Sequence, residues 1–144
     1  MSGKLIVKNI IIFALVLLWV YAAASKVLDF NMFRGQMHRQ VLPDFLKSSL
    51  VYILPPLEIA AGFLLLFERT QLAGFFISLG LMSAFTIYVG LAVFRIFDQV
   101  PCSCGGVLSK MGWDEHFFFN IFFLLLTATG LTINYRERRL TANH

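Results

Sequence analysis

Four long apolar stretches, separated by short polar breaks, leave this 144-residue chain few ways to fold. They run over about Ile6–Ala24, Leu50–Phe67, Leu72–Phe97 and Phe117–Ile133. Each is close to the roughly 20 residues that a helix rising ~1.5 Å per residue needs to cross the hydrocarbon core. Hydrocarbon offers no hydrogen-bond partners, so the backbone of each stretch must satisfy itself, as a helix does. The sequence therefore predicts one all-α domain over residues 1–144, a bundle of four transmembrane helices. The third stretch is long enough to tilt or to run past the interface. With 58% hydrophobic and 14% charged residues, and 16 Phe against 4 Pro, the composition excludes a soluble globular domain. The net charge of +4 lies mostly in the breaks and ends. It reads as headgroup contact and membrane orientation, not as a nucleic-acid surface.

The breaks differ in kind. Asp29 to Ser49 mixes Phe30, Met32, Phe33, Met37, Val41 and Leu42 with Arg34, Gln36, His38, Arg39 and Gln40. Positions 30, 33, 37 and 41 share one helical face, which predicts an amphipathic interfacial helix ended by Pro43-Asp44. Glu68-Arg69-Thr70 leaves room only for a tight turn, so the second and third helices form an antiparallel hairpin. Gly80 and Ala84, with Gly74 and Ser78 before them, allow close helix approach on the third helix. At the N-terminus, Lys4, Lys8, an apolar run and Ala22-Ala23-Ala24-Ser25 also fit a secretory signal with a small-residue cleavage site. The run is long for a signal, and Lys26 continues the helix, so a retained first span is the expectation.

Four spans place both termini on one side. That side carries Lys4, Lys8, Arg69, Arg136, Arg138 and Arg139, and the other Lys26, Arg34, Arg39, Lys47, Arg95 and Lys110. The positive-inside comparison is a tie. The compact Arg136, Arg138 and Arg139 cluster, and the use of paired cysteines in an oxidising compartment, favour cytoplasmic termini in an inner membrane. The loop before the fourth helix is then extracytoplasmic.

That loop, Pro101-Cys102-Ser103-Cys104-Gly105-Gly106, holds the chain's two cysteines. A disulfide across one residue closes a very small ring, and strain and exposure make such a bond labile and oxidising. As a staple it would remove almost no chain entropy. Gly105 and Gly106 permit the turn it demands. Arg95, Lys110 and Lys26 are cations that can favour the thiolate. Metal binding competes for the same thiols: Cu(I), or half a zinc site completed by His116 or Met111.

Within the spans, Glu58 follows Pro55-Pro56, which start or kink the second helix. A carboxylate at that depth must be protonated, paired or turned to a polar cavity, so Glu58 faces the bundle interior. It reads as a proton carrier, as a partner of Lys26, or as a neutral acid bonding another helix. Lys26 reads as a snorkelling interfacial lysine or as a cation near the cysteines or Glu58. Asp114 looks like the cap of the fourth helix, Trp113 an interfacial anchor, and His116 a wet interfacial side chain. Asn120 is expected to hydrogen-bond across the bundle. Tyr21 and Tyr88 are ordinary interface tyrosines that can also line a quinone pocket.

At Ser25-Lys26-Val27-Leu28-Asp29-Phe30, Leu54-Pro55-Pro56-Leu57-Glu58 and the Cys-Ser-Cys-Gly-Gly loop, the chain resembles the DoxX-like superfamily of small four-helix membrane proteins, in its MauE-type branch. Many relatives place Phe between Cys and Gly, where this chain has none. Proteins of that branch are linked to maturation of methylamine dehydrogenase, whose small subunit carries many disulfides. The resemblance implies disulfide formation or thiol redox for an extracytoplasmic, thiol-containing or thioredoxin-like partner. Cys102, Cys104, Lys26, Glu58 and Arg95 are then the candidate catalytic residues, with Tyr88 a candidate contact for a quinone acceptor. A non-catalytic membrane scaffold and a metal-handling protein are the competing functions. One cysteine pair cannot shuttle electrons to a second within the chain, so the reaction partner is another molecule.

Overall fold

A computed structural model describes residues 3–40, 42–94 and 112–143. Among them are five helices: α1 (Gly3–Leu28), α2 (Phe30–His38), α3 (Asp44–Leu65), α4 (Gln71–Val93) and α5 (Trp113–Ala142). All but α2 are long and apolar enough to cross a membrane, and the chain is a multi-pass membrane protein. In space α1 packs on α3, α3 on α4, α4 on α5, and α5 back on α1. The four spans thus close into a ring.

Helical periodicity sets which face of each span looks inward. On α1, Ile11, Leu15, Leu18, Trp19, Ala22 and Lys26 recur at three- and four-residue steps and are buried. Ile10, Phe13, Leu17 and Val20 on the opposite face are exposed, as residues facing acyl chains should be. The core joins Leu15 and Trp19 to Leu54, Ala61 and Leu65 of α3, and to Phe75 and Met82 of α4. Trp19 reaches the centre of the ring, where its Nε1 donates to Ser78 Oγ at 2.9 Å and its ring lies 6.5 Å from that of Phe85.

Several boundaries move from their sequence-based positions. The second span begins at Asp44 instead of Leu50, because Pro43 sits as its N-cap and the first turns extend beyond the apolar run. Pro55 and Pro56 neither start nor end this helix; they lie inside it. The fourth span covers Trp113–Ala142 and is capped by Gly112 without a side-chain bond, so Asp114 lies in its first turn instead of capping it. The amphipathic segment forms, but only over Phe30–His38, with Asp29 as its cap accepting from the Met32 backbone N–H at 3.3 Å. Phe33 and Met37 are buried in the protein core, so the apolar face of α2 turns toward the bundle. Val41 lies outside the described residues.

The small residues of α4 divide. A Cβ on Gly74 would stand 3.0 Å from Leu65 of α3, and Ser78 takes the Trp19 bond, so both belong to close contacts. Gly80 has nothing within 4 Å and is exposed, as is Ala84, so neither mediates packing within the chain. Among the described glycines the closest approach is at Gly130 of α5. A Cβ there would meet Phe75 at 2.6 Å and Ile11 at 2.9 Å, which makes glycine the residue that lets α5 seat against both α1 and α4.

Candidate functional site

At one end of the bundle α1 finishes, α2 lies across, α4 finishes and α5 begins. Here α1 and α3 bring two charges together in the interior. Lys26 Nζ donates to Glu58 Oε1 at 2.9 Å and to Oε2 at 3.2 Å, and also to its own helix at Ala22 O, 3.3 Å away. An ammonium has three protons, so these three acceptors satisfy it, and each carboxylate oxygen receives one bond. The Lys26 side chain is 4% exposed and that of Glu58 0%. Phe33 of α2 covers the pair, its ring centroid 5.7 Å from Nζ. Lys26 therefore does not snorkel. It turns inward, because a carboxylate already committed to the interior offers it a partner there.

Local sequence explains this placement. Lys26 falls on the buried stripe of α1 that also carries Ala22 and Trp19. Ala22 leaves space for the lysine stem and exposes a carbonyl to its head group. Asp29, three residues on, stops α1 and starts α2 almost at once, which folds Phe33 back over the pair and Met37 into the core. Glu58 lies on the inward stripe of α3 with Val51, Leu54, Ala61 and Leu65. Two such charges removed from water are costly, and only the close, fully bonded geometry offsets that cost. Chemically, a proton can move from Nζ to a carboxylate oxygen 2.9 Å away without changing the net charge of the pair.

A second polar group lies at the same end. Tyr88 Oη donates to Gln40 Oε1 at 2.5 Å, and Gln40 Nε2 donates to Gln36 O at 3.1 Å, tying α4 to the end of α2. On α5, His116 is 1% exposed and packs edge-on to Phe119, so it is a buried side chain and not a wet interfacial one. Asn120 is also buried, yet among the described residues its Nδ2 has no hydrogen-bond partner, so the amide nitrogen does not make the expected cross-bundle bond. Gln36 Oε1 is likewise buried and without a partner among the described residues. Among the described residues no group of three His, Cys, Asp or Glu side chains gathers as a metal site.

The structure thus joins two of the sequence-nominated residues, Lys26 and Glu58, and places Tyr88 on α4. Cys102, Cys104 and Arg95 lie outside the described residues, as do Lys110 and Met111. The helix ends that flank them are described: Phe94 stacks edge-on with Phe117, and Gly90 abuts the same ring. Trp19 escaped the sequence reading, while Ser78 entered it only as a small residue and Gln40 only as a polar position of the amphipathic segment. Their signal was weak, a polar atom inside or beside an apolar run.

The sequence profile described as methylamine utilisation protein MauE matches residues 4–133, from the start of α1 into the last third of α5. The chain belongs to the MauE family. It is therefore a membrane protein linked to methylamine utilisation. The match takes in the Lys26–Glu58 pair and the segment with both cysteines, so the MauE pattern spans every candidate residue named above. No curated relative and no solved structure matches this MauE chain.

Proposed function

We propose that this MauE-family chain is a thiol–disulfide redox protein of the inner membrane, working through Cys102 and Cys104 on an extracytoplasmic partner. The reading is carried by one observation: the helix ends flanking the cysteine segment, Phe94 and Gly112, lie at the end of the bundle that buries the Lys26–Glu58 pair. Both termini are then cytoplasmic.

In the reaction, a partner thiolate attacks one sulfur of the Cys102–Cys104 disulfide. A mixed disulfide forms and the other cysteine leaves as thiolate, which Arg95 favours. A second partner thiol resolves the mixed disulfide. The partner gains a disulfide, and Cys102 and Cys104 become two thiols. Two electrons and two protons then pass to a quinone, giving quinol, and the loop disulfide is restored. Lys26 and Glu58 handle protons in that second half, and Tyr88 is the contact for the quinone on α4.

Thiol trapping in intact membranes tests this reading. Wild-type Cys102 and Cys104 should switch between alkylatable and protected states with reductant and oxidant. Cys102→Ser or Cys104→Ser should accumulate a mixed disulfide with a partner protein. A pair that never changes state, together with methylamine-dependent growth that survives both substitutions, would make the chain a scaffold instead.

A further inference from the structure

We propose that the opposite end of the bundle, where both termini lie, holds a site for the phosphate headgroup of an anionic lipid, built on Arg69 and Arg138. A cavity of about 910 Å³ opens there between the start of α1, the turn joining α3 to α4, and the end of α5. That volume lies in the range of small-molecule sites, roughly 300–1,000 Å³, and far exceeds what a single inorganic ion fills. Its lining is mixed: Leu5 and Leu140 are apolar, and Lys8, Arg69, Gln71 and Arg138 are polar or cationic. A phosphate joined to a glycerol and acyl chains combines the same two chemistries.

The polar floor is built and rigid. Asn134, 3% exposed, donates from Nδ2 to Gln71 Oε1 at 3.1 Å and accepts from Arg138 Nε at 3.2 Å. Arg138 Nη2 donates to the backbone carbonyls of Glu68 and Arg69, clamping the turn to α5. Lys8 is buried and bonded to Glu137, so these two charges cancel. Among the described lining residues Glu68 is then the one side-chain carboxylate left against two guanidinium groups. The Arg69 side chain is exposed at the rim, and its guanidinium has no hydrogen-bond or ion-pair partner among the described residues. A guanidinium fork suits a phosphate, which accepts two parallel N–H bonds. Beyond the cavity the same end carries Lys4, Arg136 and Arg139, so its cations outnumber its carboxylates six to two. Basic pockets between transmembrane helices at headgroup depth are where anionic lipids seat.

The test uses the full chain in neutral detergent, with native mass spectrometry and thermal unfolding. Phosphatidylglycerol should stay bound and raise the unfolding temperature, while phosphatidylcholine and inorganic phosphate should not. Arg69→Gln should weaken phosphatidylglycerol binding about tenfold, the loss expected for one charge-assisted hydrogen bond. Glu68→Gln, whose backbone carbonyl still holds Arg138, should tighten it. Arg34→Gln, at an exposed position of α2 at the other end, should leave it unchanged. Equal retention of the two lipids, or equal weakening by Arg34→Gln and Arg69→Gln, would reduce the effect to bulk lipid contact and overturn the proposal. Protection by inorganic phosphate as strong as by phosphatidylglycerol would assign the site to the free anion and overturn the lipid.

Discussion

Lys26 and Glu58 meet across 32 positions of sequence, and their bonding is complete only because they meet. Removing one partner leaves the other charge buried with nothing to balance it. Lys26→Met should therefore destabilise the protein by about 3–5 kcal/mol, read as a lower unfolding temperature in detergent. Glu58→Gln, which keeps one oxygen acceptor for Nζ, should cost less. The double variant Lys26→Met/Glu58→Leu should recover most of the loss, since replacing a whole buried pair by apolar side chains is near neutral. Additive losses in the double variant would show that the pair is not coupled. Glycine at this scale is equally specific. Trp19 depends on Ser78 in a milder way: Ser78→Ala leaves the buried indole N–H unpaired and should cost about 1–3 kcal/mol in the same measurement.

Among the elements, the spans were legible from their apolar length, since lipid imposes the helical solution on each stretch separately. Their ends were less so. Asp44 to Ser49 fall in the mixed break before the second apolar stretch, yet they form the first turns of α3 because Pro43 supplies an N-cap with a fixed φ. Small residues mark close helix approach only in combination with a partner helix, and here Gly130 has two while Gly80 has none. Gly130→Ala should destabilise by about 1–3 kcal/mol, forcing Phe75 and Ile11 apart. Gly80→Ala should instead be neutral or stabilise by up to about 1 kcal/mol, because alanine restricts the unfolded chain and meets nothing. Thermal unfolding of the two variants, side by side, checks this: equal midpoints would mean that α5 has no tight seat at Gly130.

At the scale of the whole molecule, four antiparallel spans place residue 68 and the C-terminus on one side and α2 on the other. In a Cys102→Ser/Cys104→Ser background, Glu68→Cys and Asn143→Cys should react with a membrane-impermeant maleimide from the same side, and Arg39→Cys from the opposite side. Labelling of residues 39 and 68 from one side would break the four-span arrangement. The candidate site was partly visible beforehand, since a carboxylate and a lysine in apolar helices must find polar company. Which company could not be read. Phe75 is fully buried and its neighbour Phe76 is 54% exposed, though their chemistry is the same. In water, polarity would separate an inward face from an outward one; in lipid both faces are apolar, and packing alone distinguishes them. The sequence by itself determined that the chain crosses a membrane four times, with a short amphipathic helix after the first span. Only the tertiary structure decided that Lys26 joins Glu58, that Trp19 bridges to Ser78, and that α5 is seated at Gly130, because those choices rest on contact geometry that no apolar pattern encodes.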